Sequence, residues 1–218
     1  MSRPLQREIF LAGEGDAWFQ RNRRDQALTS PTDDLLLPAL LELPLAQGPG
    51  SAVLEVGCGQ GLRLHALAQE KGWTVHGLDP SAEAVAAAAR LGVEAQVGTA
   101  ERLPYGNHSI YLLVLGFCLY LCDRDDLFQI AAEAHRVLKP SAWLAILDFW
   151  SLQQRSNPYH HRPGLQSYKM NLPEMFLWHP AYVITDHRLR HHASHTHTDQ
   201  ADEWVAATVI RRCHDPVS

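Results

Sequence analysis

The sequence is poor in cysteine, in basic residues and in long apolar runs, and each shortage excludes something. Four cysteines (Cys58, Cys118, Cys122 and Cys213) occur in 218 residues, with no C-x-x-C pair. That excludes a disulfide framework and suits a reducing compartment. Lysine and arginine number 19 against 24 acidic residues, a formal net charge of −5. A nucleic-acid surface needs clustered basic charge, so neither DNA nor RNA is an expected partner. No apolar run approaches the ~18 residues of a membrane span. Met1-Ser2-Arg3-Pro4-Leu5-Gln6-Arg7-Glu8 has no apolar signal core, so the expected location is the cytoplasm, away from membranes. There is also no internal repeat and no break that separates a second domain. A chain of this length is expected to fold as one α/β domain that buries on the order of 70% of its unfolded surface.

What is present centres on Ala52 to Gly61. Ala52-Val53-Leu54-Glu55-Val56 reads as a buried strand. Gly57, Gly59 and Gly61 follow at alternate positions, and Leu62-Arg63-Leu64-His65-Ala66-Leu67-Ala68 opens a helix. Such a turn lets a ligand approach the backbone, and the helix N-terminus offers unpaired N–H groups. A tight structural turn is the plainer alternative. A dinucleotide fingerprint, G-x-G-x-x-G, fails because Leu62 stands where its third glycine belongs. About twenty residues on, the strand Trp73 to Asp79 ends in an acid, at the spacing of a carboxylate that accepts from ribose hydroxyls. Asp79 is equally able to cap the helix Ser81 to Leu91.

An acidic residue before G-x-G-x-G resembles motif I of the class I S-adenosylmethionine-dependent methyltransferases. Further segments are similar to that family: Gly98-Thr99-Ala100-Glu101-Arg102-Leu103-Pro104-Tyr105 after a third strand, Ser109 to Gly116 as a fourth, and His135-Arg136-Val137-Leu138-Lys139-Pro140 before a fifth at Ala142 to Phe149. Thr99 and Tyr111 stand where the family often has acids. The resemblance covers roughly residues 45–150. It implies a Rossmann-like, seven-stranded, mostly parallel sheet flanked by helices, with the last strand antiparallel. It also implies S-adenosylmethionine as cofactor, S-adenosylhomocysteine as product, and a cofactor site of Glu55, Gly57, Cys58, Gly59, Gly61, Asp79, Pro80, Thr99, Ala100, Glu101, Gly116 and Phe117.

The flanks are less constrained. Residues 1–44 are expected to form a helical cap, 45–150 the cofactor-binding core, and 151–218 a substrate-side insertion with two last strands, Ala181 to Arg188 and Glu203 to Arg211. Ser30 and Pro31 start a helix with a leucine-rich face, Asp33 and Asp34 favouring its positive end. Residues 10–24 read either as a packed surface helix or as a flap. In the flap, Trp18 and Phe19 cover the cofactor while Arg21 and Asn22 orient an acceptor. Beyond the fifth strand, Tyr159, His160 and His161 are the catalytic candidates, since imidazole deprotonates a hydroxyl near neutral pH, and Tyr168 is a substrate-side candidate.

The stretch His191 to Asp199 holds four of the thirteen histidines, but its alternating polar residues suggest a solvated loop, so no metal is expected. The expected activity is methyl transfer to an O or N atom of a small molecule, with sugars and nucleotide-sugars favoured, by a monomer or homodimer. A non-catalytic S-adenosylmethionine-binding protein is the rival reading, and a dehydrogenase the third.

Overall fold

The computed structural model describes residues 5–23 and 34–213. Its centre is a seven-stranded sheet of β1 (Ala52–Val56), β2 (Thr74–Asp79), β3 (Glu94–Val97), β4 (Ile110–Gly116), β5 (Leu138–Phe149), β8 (Tyr182–His191) and β9 (Trp204–Arg212). The strands lie in the order β3-β2-β1-β4-β5-β9-β8. The first five pair in parallel, and β9 runs antiparallel to both its neighbours. After β1 the chain builds outward through β2 and β3, then returns to place β4 on the other side of β1. The two neighbours therefore send their following loops in opposite directions, which opens a crevice at their carboxyl ends.

Helices cover both faces, so the central strands are mostly apolar, as parallel strands buried on both sides are, with Glu55 in β1 and Asp79 at the end of β2 as buried exceptions. In β1 the alternation of side chains sends Leu54 and Val56 to one core, with Ile130 and Ala134 of α6 (Leu127–Val137). Val53 goes to the opposite core, with Leu64 and Leu67 of α4 (Leu62–Lys71). Glu55 shares the Val53 face, and this alternation aims a carboxylate at α4. The helix α5 (Ala82–Arg90) starts at Ser81, whose hydroxyl accepts from Ala84 N–H at 3.0 Å.

The strands differ from expectation at their edges. β5 begins at Leu138, four residues before the expected Ala142, because the segment through Pro140 runs extended and pairs across a register shift. A small hairpin of β6 (Arg155–Pro158) and β7 (Gln166–Lys169) forms where only a loop was expected. Its polar sequence lacks the apolar alternation that marks a strand. The helix start expected at Ser30–Pro31 lies outside the described residues. Asp34, the first described residue there, accepts from the N–H groups of Leu36 and Leu37 (2.8 and 2.9 Å) ahead of a short α3 (Leu37–Leu41). No helix among the described residues is long and apolar enough to cross a membrane.

The N-terminal segment forms α1 (Gln6–Ile9), a wide π turn at Phe10–Glu14, and α2 (Gly15–Asn22). It is fastened mainly by polar bonds. Gln6 is fully buried; its amide donates to the carbonyls of Leu121 (2.6 Å) and Gln166 (3.1 Å), and its Oε1 accepts from Gln166 N–H (2.7 Å). Gln6→Ala leaves those partners unpaired, at about 1–3 kcal/mol for each buried group. Hydrogen exchange of residues 6–22 should then quicken by about tenfold or more while β1 and β4 keep their protection. Unchanged exchange would mean that apolar packing of Phe10 and Phe19 alone holds the segment.

Candidate active site

The crevice at the β1–β4 switch point holds a cavity of about 440 Å³, within the range of small-molecule sites. One wall is the glycine loop: Gly57, Gly59 and Gly61 all have positive φ (76°, 53° and 77°). Asp79, at the end of β2, organises that loop. Its Oδ2 accepts from Gly59 N–H and its Oδ1 from Ser81 N–H, both at 2.9 Å. Burial pushes its pKa up to about 6 against these two N–H bonds.

Next to it lies a buried charge cluster. Arg63, on the first turn of α4, pairs with Glu55 Oε1 and, at 2.8 Å, with Asp34 Oδ2. Burial pushes the Glu55 carboxyl up to about 7 despite Arg63. For Asp34 burial acts in the same upward sense, but Arg63 and the two backbone N–H groups prevail and hold it below the usual carboxylate range. The second oxygen of Glu55, Oε2, is buried with no hydrogen-bond partner among the described residues. A buried carboxylate oxygen on a cavity wall favours a cationic donor from a ligand.

The structure brings most of the expected cofactor residues together. Glu55, Gly57, Cys58, Gly59, Asp79, Pro80, Thr99, Ala100, Glu101, Gly116 and Phe117 all line the cavity. Gly61 stands behind it as the left-handed N-cap of α4. Of the expected flap residues, Trp18 and Asn22 line the cavity. The Trp18 indole donates to Tyr120 Oη at 3.0 Å, and the Asn22 amide donates to Trp18 O at 2.8 Å. Phe19 is buried away from the cavity lining, and Arg21 turns aside to Glu14 (2.5 Å) and Tyr159 Oη (2.8 Å).

The expected catalytic group is placed elsewhere. His160 and His161 are exposed, and Tyr159 is buried against Phe10, with ring centroids 6.3 Å apart. None of the three lines the cavity, nor does Tyr168, whose ring lies under the Arg124 guanidinium at 4.0 Å. The hairpin β6–β7 tethers this stretch outside the crevice. Sequence reasoning missed Arg63, Phe10, Leu147, His192, His195 and Val205 as lining residues. Only Arg63 had a local signal, a charged residue one turn beyond the glycines; the others come from distant segments.

An open α/β sheet with a glycine loop at its switch point, a buried acid at the end of β2 and an unpaired carboxylate oxygen beside the loop has features that suit an adenosine carrying a cationic group. Residues 53–141 match the family described as a methyltransferase domain. The match covers under half of the chain, and the fold as a whole is that of solved S-adenosylmethionine-dependent methyltransferases. An uncharacterized methyltransferase of Synechocystis is 38% identical over 107 residues, 48% of this chain and 50% of that protein. A ubiquinone/menaquinone biosynthesis C-methyltransferase of Rubrivivax gelatinosus is 34% identical over 110 residues, 46% of this chain and 43% of that protein. The chain thus spans about half the length of the curated relatives it matches.

The solved 1,6-didemethyltoxoflavin-N1-methyltransferase of Burkholderia thailandensis, with bound 1,6-didemethyltoxoflavin and S-adenosylhomocysteine, shares the fold. Its TM-score is 0.66 at 20% identity, over 95% of this chain and 87% of that one. S-adenosylmethionine is the cofactor of this family, and the residues present fit it. Asp79 suits the ribose hydroxyls, Glu55 Oε2 the α-ammonium, and the wall from Thr99 to Glu101 the adenine.

Because Asp79 also anchors the glycine loop, Asp79→Ala should lower stability by about 2 kcal/mol or more, two buried N–H groups losing their acceptor. It should weaken S-adenosylhomocysteine binding as well; denaturation and calorimetry on the same variant check both, and full stability would show the loop to be self-supporting.

The raised carboxyls make a second test. Glu55 and Asp79 lie above their unfolded values of 4.5 and 3.8, so the stability they contribute is complete below about pH 4 and lost as pH rises through about 6 to 7. Binding runs the other way, since an ammonium prefers ionised Glu55. Affinity for S-adenosylhomocysteine should rise about tenfold from pH 6 to 8 while the stability of the free protein falls. Glu55→Gln should flatten the Glu55 part of both trends, and an unaltered pH dependence of affinity in that variant would remove Glu55 from the ammonium site.

Proposed function

We propose that the chain transfers a methyl group from S-adenosylmethionine to an oxygen or nitrogen atom of a small molecule that presents a flat face. The observation that carries this reading is that one cavity joins two kinds of wall. The cofactor wall described above runs directly into Phe10, Trp18, Phe117, Leu147 and Val205, with His192 and His195 beside them. Aromatic faces favour a planar ring, which keeps phenols, N-heterocycles and nucleotide-sugars as candidate acceptors.

When bound, S-adenosylmethionine supplies a sulfonium-activated methyl group. The chain's own part is mainly positional. Asp79 and Glu55 fix the two ends of the cofactor, and Trp18 and Phe10 restrict water at the acceptor side. A hydroxyl acceptor sheds a proton as it takes the methyl, and an ammonium must shed one beforehand to free the lone pair that attacks. His195 lines the wall where that proton would go, while His192 is engaged at 2.7 Å by Glu203. A carbon acceptor is the competing reading, favoured by the C-methyltransferase name of the Rubrivivax relative.

The test supplies methyl-labelled cofactor with pooled phenols, heterocyclic amines, sugars and nucleotide-sugars, and locates the label in the product by NMR. Label on oxygen or nitrogen is expected, and Trp18→Ala should lower kcat/KM by about tenfold or more, the cost of losing an aromatic contact face. Label on carbon would replace the acceptor assignment. Tight S-adenosylhomocysteine binding with no labelled product from any class would make the chain a non-catalytic cofactor-binding protein.

A further inference from the structure

Besides His195, the hairpin joining β8 to β9 carries imidazoles that methyl transfer leaves unused. His191 ends β8, His192 follows it, and Glu203 directly precedes β9. His191 pairs with Trp204 across the ladder, and His192 N–H donates to the Glu203 carbonyl at 2.9 Å. Backbone pairing therefore holds these three residues side by side, rather than leaving them on a free loop.

One ligand atom from each of His191, His192 and Glu203 lies within 4.8 Å of the other two. His192 Nδ1 is 2.7 Å from Glu203 Oε2, and the two imidazoles stack with centroids 5.1 Å apart. His191 Nδ1 accepts two long contacts, from Ala193 N–H at 3.1 Å and Ser194 N–H at 3.3 Å. Both donors sit on an exposed turn where water replaces the ring at small cost. His192 lines the cavity and packs against Phe149, 6.0 Å between centroids.

Two imidazoles and one carboxylate form the donor set of zinc sites that keep a fourth position for water or substrate. Imidazole-rich sites also accept cobalt and nickel.

We propose that His191, His192 and Glu203 bind one divalent transition-metal ion of the zinc class at the mouth of the cavity, its remaining coordination position shared with water or an oxygen of the acceptor. The ion would lower the proton affinity of such an oxygen, which would make hydroxyl-bearing acceptors the favoured class. That consequence rests on the methyl-transfer reading; metal binding does not, and is tested apart from it.

The experiment titrates zinc chloride into tag-free, chelator-treated full-length protein by calorimetry, repeats it with cobalt followed by visible absorption, and titrates S-adenosylhomocysteine into the same preparations. One zinc per chain in the low-micromolar range or tighter is expected, with a cobalt spectrum of low coordination number. His192→Ala and Glu203→Gln should each weaken zinc by about tenfold or more, with S-adenosylhomocysteine affinity unchanged in Glu203→Gln; His197→Ala should keep zinc. No stoichiometric binding overturns the proposal, as does wild-type affinity in Glu203→Gln or an equal loss in His197→Ala. The last two would describe a diffuse histidine-rich turn. Loss of S-adenosylhomocysteine binding in the unsubstituted protein would count against the cofactor site instead.

Discussion

Where the loop after β1 crosses the loop after β4, the Gly57 backbone passes so close to Gly116 that a Cβ would lie 2.4 Å from its carbonyl oxygen. The backbone at Gly57 also has φ +76°, a conformation that side chains resist. This contact allows the two neighbouring strands to end at a common level and their loops to part around a cavity. Asp79 then needs only to reach across from β2 to hold Gly59, and α4 begins in a position to present Arg63. A side chain at 57 would push the loops apart and dissolve the arrangement from which the other groups take their places.

The charges around that contact are arranged at a cost. Asp34, Glu55 and Arg63 are almost wholly shielded from water, where ion pairs gain little net stability because desolvation offsets attraction. Two carboxylates share a single guanidinium, which leaves Glu55 with an unused oxygen. A cluster of this kind is poorly explained as a device for stability. It fits the proposal of a cationic ligand, with Arg63 limiting how negative the recess becomes.

The N-terminal segment completes the cavity from outside the sheet. Trp18 and Phe10 supply its apolar wall, while Gln6, Asp16 and Arg7 secure it through hydrogen bonds and ion pairs to Asp123, Ser81 and Asp126. Polar fastening of an apolar cover gives directional contacts that strain or water can release one at a time. Gly15 permits the close fit: a Cβ there would meet the Pro80 backbone at 3.0 Å, which brings α2 onto the residue after Asp79.

What the sequence by itself determined is local. The apolar strand before three alternating glycines, the helix that opens at Leu62 and the acid about twenty residues after the glycines were readable because each expresses a short-range rule of backbone geometry or periodicity. The cofactor half of the site follows from them, since its residues sit at the carboxyl ends of four parallel strands that the order β3-β2-β1-β4 makes neighbours. The acceptor half does not. Tyr159, His160 and His161 follow β5 in the chain, yet pairing of Arg155–Pro158 with Gln166–Lys169 holds that stretch outside the crevice. His192 and His195 reach the cavity wall because β9 inserts between β5 and β8 and carries their hairpin there. Strand pairing between distant segments, a long-range choice with no local trace in composition or spacing, decided which histidines face the site.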